Sequence, residues 1–150
     1  MGYHIIVNLL EDRTKLGTLK VYASDGTLKF GPVQALGRSA DNINWDQTNG
    51  HTPSGVYDAV VVAAGSSEYS YGPYKRVSLD PVSGNALIAE NNGRTGLMIH
   101  GGDPASTGAV SYPLRPTCGC VLLSNANQKT LIQTIADLGG GKGKVTVNVN

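Results

Sequence analysis

The sequence predicts a mainly β domain spanning residues 1–150, with one helix near its C-terminus. Three observations carry this expectation. The 20 glycines and 7 prolines cut the chain into short segments, as many strands joined by turns require. Several of those segments alternate apolar and polar residues, the period of a strand with one buried face. A single stretch, Asn127–Leu138, instead repeats its apolar residues at helical spacing.

The elements follow in order. Tyr3–Leu10 is apolar-rich and Thr18–Tyr22 alternates, so both read as strands. Ser24-Asp-Gly-Thr27 places Asp-Gly at the centre of a turn. Leu28–Val33 then pairs back as a hairpin whose Pro32, having no N–H, belongs at an edge. Arg38–Thr52 is a polar loop, with Trp45 available to anchor it on the core. Thr52-Pro53-Ser54-Gly55 is a rigid turn that feeds the strand Val56–Val62. A loop over Ala63–Tyr74 precedes short strands at Arg76–Leu79 and Ala86–Ala89. Gly96–His100 is an apolar strand ending in a histidine and two glycines, Asp103–Pro116 is loop, and Cys120–Leu123 is a short buried strand. In the helix, Leu131, Ile132, Ile135 and Leu138 share one face; Ser124 or Asn125 caps its start and Gly139 its end. Lys144–Val149 alternates as a last strand.

Composition narrows the function. Twelve Lys and Arg against 11 Asp and Glu, with no basic block, argue against a nucleic-acid partner. No stretch reaches the roughly 18 to 20 apolar residues that span a bilayer. The N-terminus lacks the basic start and uninterrupted apolar run of a secretory signal, which points to synthesis in the cytoplasm. Action in the periplasm or cell wall then needs delivery by a route other than signal-peptide export. Cys118 and Cys120 are the only cysteines. Without a second ligand pair they do not read as a zinc site, and a disulfide across one residue is strained. No metal or other cofactor is expected.

Two loops place glycine beside a reactive side chain: Ile99-His100-Gly101-Gly102-Asp103 and Thr117-Cys118-Gly119-Cys120. A thiol becomes a strong nucleophile when deprotonated, and a histidine within hydrogen-bond reach takes that proton. Acyl transfer also needs main-chain N–H groups aimed at the developing oxyanion, and Gly119 suits that task because it has no Cβ. Gly101 and Gly102 let a main-chain carbonyl approach the His100 ring, accept the Nδ1 proton and leave Nε2 as base. Asp103 is the alternative orienting group. A lone strand-end histidine is more often structural than catalytic; the Gly-Cys partner is what raises His100 above that.

These motifs resemble the catalytic domain of L,D-transpeptidases of the YkuD type. The residues that carry the resemblance are Thr52-Pro53-Ser54-Gly55-Val56-Tyr57, Ile99-His100-Gly101 and Thr117-Cys118-Gly119-Cys120-Val121-Leu122-Leu123, followed by a helix and a strand in the family's order. The resemblance covers most of the chain and implies a single-domain β-sandwich with a helix near the C-terminus. It also implies an enzyme that attacks peptidoglycan stem tetrapeptides before the terminal D-Ala through a Cys120 thioester. The acyl group then passes to an amine or to water, which are transpeptidase and carboxypeptidase outcomes. By position, Cys120 is nucleophile and His100 base, with the N–H groups of Gly119 and Cys120 as oxyanion donors.

The chain departs from the family twice. Cys118 stands where a histidine is usual, and Leu122 where an arginine is usual. Arg115 is a candidate replacement cation over the cleft, able to lower the thiol pKa or pair with a substrate carboxylate, and equally a solvated loop residue. Arg115, Thr117 and Cys118 are the expected substrate-side residues. Cys118 reads as a small-pocket filler or a resolving thiol, and His4 and His51 as ordinary packing or surface residues. A compact domain without a signal resembles the L,D-transpeptidase-like effectors injected by type VI secretion, which call for an immunity protein in the producing cell; a phage-encoded wall enzyme is the alternative delivery. A module that grips wall peptide without turnover is the competing function. A papain-like hydrolase ranks lower because there the cysteine precedes the histidine and starts a helix.

Overall fold

The fold was analysed in a computed structural model that describes residues 2–39, 43–47, 50–64, 71–102, 114, 117 and 119–150. The strands are β1 (Tyr3–Leu9), β2 (Gly17–Ala23), β3 (Leu28–Ala35), β4 (Gly55–Val62), β5 (Arg76–Ser83), β6 (Met98–His100), β7 (Val121–Leu122) and β8 (Lys142–Val149). Helix α1 (Asn85–Asn91) lies between β5 and β6, and α2 (Asn125–Asp137) between β7 and β8. The mainly β class and the helix near the C-terminus are as expected.

The eight strands form one sheet in the order β3-β2-β1-β8-β4-β5-β6-β7. Its two edges then meet. Leu36, just past β3, exchanges main-chain hydrogen bonds with Leu122 of β7 at 3.0 and 2.9 Å, and Ser39 bridges Thr117. The sandwich therefore takes the form of a single sheet rolled almost into a barrel. The β3 edge is also where Pro32 was expected, in the strand that pairs with β2 alone along its length.

Period-two alternation builds the core. Along β1 every second residue from Tyr3 to Leu9 is buried. These residues meet Leu19 and Val21 of β2, Tyr57 and Ala59 of β4, Val77 and Leu79 of β5, and Val145 and Val147 of β8. Leu131 and Ile135, one helical turn apart, close the same core from α2. β8 is parallel to β1 and antiparallel to β4, so the last strand sits in the middle of the sheet.

One expected strand is a helix. Ala86–Ala89 belongs to α1, where small Ala86 and Ala89 lie three residues apart and are buried while Ile88 is half exposed. Four apolar residues cannot by length separate the two structures. Here Asn85 Nδ2 and the Ala86 N–H bind Ser54 Oγ and O, at 3.0 and 2.8 Å, and turn the chain out of the sheet. Among the described residues no helix is long and apolar enough to cross a membrane.

The start of α2 tests the reading of local sequence. Ser124 Oγ accepts the Asn127 N–H at 3.1 Å, satisfying one of the donors that a helix start leaves unpaired. Ser124→Ala is expected to cost about 1 kcal/mol in a urea unfolding titration. An unchanged midpoint would remove the cap from the stabilising interactions.

Candidate active site

The pairing of β6 with β7 sets His100 beside the strand that Cys120 leads into. These strands are parallel, with Ile99 opposite Val121 and His100 opposite Leu122. Leu123 N–H donates to the His100 carbonyl at 2.9 Å and fixes the register. Alternation then sorts the side chains. Ile99, Val121 and Leu123 join the main core, whereas Leu122 packs with Leu36 and Leu114 in a separate cluster. His100 lies opposite Leu122 and shares its face, and Cys120 stands two positions before Leu122, just ahead of β7. Cys120 thus immediately precedes the strand that lies beside His100. Both are buried, His100 to 2% exposure and Cys120 to 8%.

The imidazole is held as expected from its flanking glycines. His100 Nδ1 lies 2.5 Å from the Gly101 carbonyl oxygen. A carbonyl only accepts, so Nδ1 carries the hydrogen, and whenever the ring is neutral Nε2 is its lone-pair nitrogen. Gly101 is tightly enclosed: a Cβ there would collide with Asn125 Oδ1 and Gln128 Oε1. The same Asn125 oxygen accepts the Gly102 N–H at 2.8 Å, so the first turn of α2 fixes the turn after His100. Gln128 Nε2 donates to the carbonyls of Tyr71, Tyr74 and Lys75, at 3.0, 3.2 and 3.1 Å. This places the Tyr71 ring edge-on to His100, with centroids 4.9 Å apart.

The Gly119-Cys120 turn is held from below. Gly119 has φ 104°, a left-handed conformation that costs glycine little and other residues more. Its carbonyl accepts a 2.6 Å hydrogen bond from Oγ1 of fully buried Thr52. Because the peptide is trans, the Cys120 N–H points the opposite way, away from Thr52. Thr52 opens the Thr-Pro-Ser-Gly turn, so that motif has a second task beyond starting β4. Its next peptide is anchored too, the Pro53 carbonyl accepting from Tyr57 Oη at 2.6 Å. Burial raises the Tyr57 phenol above its usual 10, so it stays a neutral donor.

Thr117 acts within the loop. Its Oγ1 accepts the Gly119 N–H at 3.0 Å and donates to the Cys120 carbonyl at 3.1 Å. The Gly119 N–H, expected as an oxyanion donor, is therefore engaged by Thr117 here. The thiol itself makes a weak contact, Sγ to the Gly96 carbonyl, at 3.8 Å. Arg115, Cys118 and Asp103 lie outside the described residues.

Sequence reading assigned no role to Arg94, which precedes β6 and reaches beneath this loop. It is 3% exposed. Its Nη1 donates to the carbonyls of Trp45 and His51 and its Nη2 to that of Gly50, each at 2.6 Å. Burial lowers its pKa, opposed by attraction to Tyr57 and Cys120. The only hint in the sequence is an arginine between glycines, Gly93-Arg94-Thr95-Gly96, leading into the histidine strand. Among the described residues no group of three His, Cys, Asp or Glu side chains converges as a metal site would need.

No protein-family model and no curated protein matches the sequence. Solved structures do match. A crystal structure of the helical cell shape determining protein Pgp2 from Campylobacter jejuni, in its K307A mutant form, superposes with a TM-score of 0.62 at 21% identity over 99% of this chain. A second Pgp2 structure gives 0.59 at 22% identity, again over 99%. The chain spans about half the length of these proteins, 48% and 49%. At such identity the likeness is one of fold.

Two outcomes test this geometry. Thr52→Val leaves the Gly119 carbonyl buried without its donor and should cost ~1–3 kcal/mol by denaturant titration. The second concerns His51, whose Nδ1 accepts the Ser39 N–H at 2.9 Å and must therefore be unprotonated. Burial first, then Arg13, Arg38 and Arg94, lower its pKa from 6.5. The unfolded chain binds that proton more readily, so the contribution is full above pH 6.5 and is lost as pH falls from there through the lowered folded value. Melting temperatures should drop on acidification below 6.5, and His51→Gln should flatten that slope. Parallel curves for the two proteins would reject the assignment.

Proposed function

We propose that this chain is a peptidoglycan-acting cysteine enzyme of the L,D-transpeptidase or L,D-carboxypeptidase type. The observation that carries the proposal is the His100 Nδ1 to Gly101 carbonyl bond on a strand paired directly with the one that follows Cys120. It orients Nε2 as the base for the Cys120 thiol. The structural neighbours are named for determining helical cell shape, and the shape of a walled bacterium is carried by its peptidoglycan.

The chemistry follows from these groups. His100 Nε2 takes the Cys120 proton as the sulfur attacks the carbonyl carbon between the diamino-acid L-centre and the terminal D-Ala. The oxyanion forms toward the side that the Cys120 N–H faces, since the Gly119 carbonyl is tied to Thr52 on the other. Collapse breaks the C–N bond, and the imidazolium gives its proton to the departing D-Ala amine. The thioester is then attacked by an amine or by water, the C–S bond breaks, and the thiol is restored. A buried thioester carbonyl and a neutral imidazole suit either acceptor.

One observation favours the competing reading of a peptide-binding module without turnover: the Gly119 N–H is occupied by Thr117. Incubation with tetrapeptide muropeptides separates the two. The enzyme should release D-Ala and leave tripeptide, cross-linked or exchanged products; Cys120→Ala should reduce release to background, and Cys118→Ala should retain much of it. A carbapenem should add covalently to the intact protein by mass spectrometry. Full activity in Cys120→Ala would end the proposal, and bound muropeptide with neither product nor adduct would establish the binding module.

A further inference from the structure

Leu122 occupies the place where the resemblance calls for an arginine, yet the structure brings a guanidinium to the nucleophile loop from elsewhere in the chain. Arg94 is 3% exposed, and its acceptors, the carbonyls of Trp45, Gly50 and His51, are neutral. Three short hydrogen bonds fix the fork but do not cancel its charge. The Gly119 backbone lies directly on that fork: a Cβ on Gly119 would collide with Arg94 Nη2 and with the Gly50 oxygen that Nη2 holds. Two residues along from Arg94, the Gly96 carbonyl meets the Cys120 sulfur at 3.8 Å. The guanidinium thus lies under the residue before the nucleophile, and its own chain segment touches the thiol.

We infer that Arg94 is the buried cation of this site, a positioning residue that seats the Gly119-Cys120 turn and favours the thiolate form of Cys120. The inference rests on Cys120 being the reactive thiol of the proposed function. A positive charge held close in a poorly solvated place stabilises a thiolate and opposes the cost of burying it. The mutual attraction of Arg94 and Cys120 noted above runs in the same direction. The same fork that faces Gly119 also ties down the carbonyls of Trp45, Gly50 and His51.

The test reads the thiol directly, without peptidoglycan. In a Cys118→Ala background, so that one thiol reports, the rate of iodoacetamide alkylation is measured against pH. Arg94→Gln should move the titration of Cys120 upward and slow alkylation at neutral pH by about tenfold. Arg94→Lys, which keeps the charge and loses the planar fork, should stay within about threefold of the parent. A purely structural arginine would lower the melting temperature of both variants and leave the pH profile in place; an unshifted profile in folded Arg94→Gln overturns the inference. Should Arg94→Gln not fold, the lysine variant decides: a parent-like profile upholds the role of the charge, and a profile moved as far as an ordinary thiol overturns it. An unshifted profile with normal muropeptide turnover would remove Arg94 alone, whereas a shifted profile without turnover would remove the enzymatic reading and leave Arg94 in place.

Discussion

The parallel pairing of β6 with β7 is short, two residue pairs, and the arrangement of the site depends on it. That pairing sets His100 against Leu122, two residues beyond Cys120. A slip of one residue would turn Val121 out of the main core and Leu122 into it. So brief a ladder does not hold its register unaided. Leu36 grips Leu122 from the other side, Leu123 binds the His100 carbonyl, and Ile99, Val121 and Leu123 are locked in the common core. The register is therefore fixed by burial on one face and by main-chain hydrogen bonds on both edges.

Around that pairing, polar groups are arranged in two layers of support. On the histidine side Asn125 and Gln128 leave no room for a side chain at position 101 and bind the turns carrying Gly102 and Tyr71. On the cysteine side Thr52, Thr117 and Arg94 hold Gly119 through its oxygen, its nitrogen and its underside. Each support bonds main-chain atoms; Thr52, Arg94, Asn125 and Gln128 are buried and Thr117 is half-buried. The loss of any one leaves a partner without its hydrogen bond inside the protein, which is costly. The helix α2 has a double role here: its Leu131 and Ile135 belong to the core and its first turn belongs to the site.

What could be read from sequence divides along the same lines. Strands with one buried face, such as β1 and β8, announce themselves by alternation, and α2 by its period and its Ser124 cap. The carbonyl that orients His100 was legible because only the glycines after it allow such an approach. α1 was not legible, because Ala-Leu-Ile-Ala is too short for its period to show and its turn depends on Ser54, far off in the chain. The closure of the sheet was likewise hidden, since nothing local marks Leu36 as the partner of Leu122. Arg94 escaped notice for the same reason: its acceptors come from residues 45–51 and its target from residue 119. The second use of Thr52 was half visible, as a motif without its partner. Arg115 and Cys118 lie outside the described residues, so their expected roles stand where the sequence left them.

The central position of β8 has a consequence for biogenesis. Residues 142–149 are made after β1 and β4 yet form the spine between them. Until they arrive, the N-terminal and middle strands have no common partner, and the seam that carries the thiol has nothing to close against. The sheet between β1 and β4 therefore closes only once β8 has been made, and the N-terminal and middle strands join through it in one cooperative step.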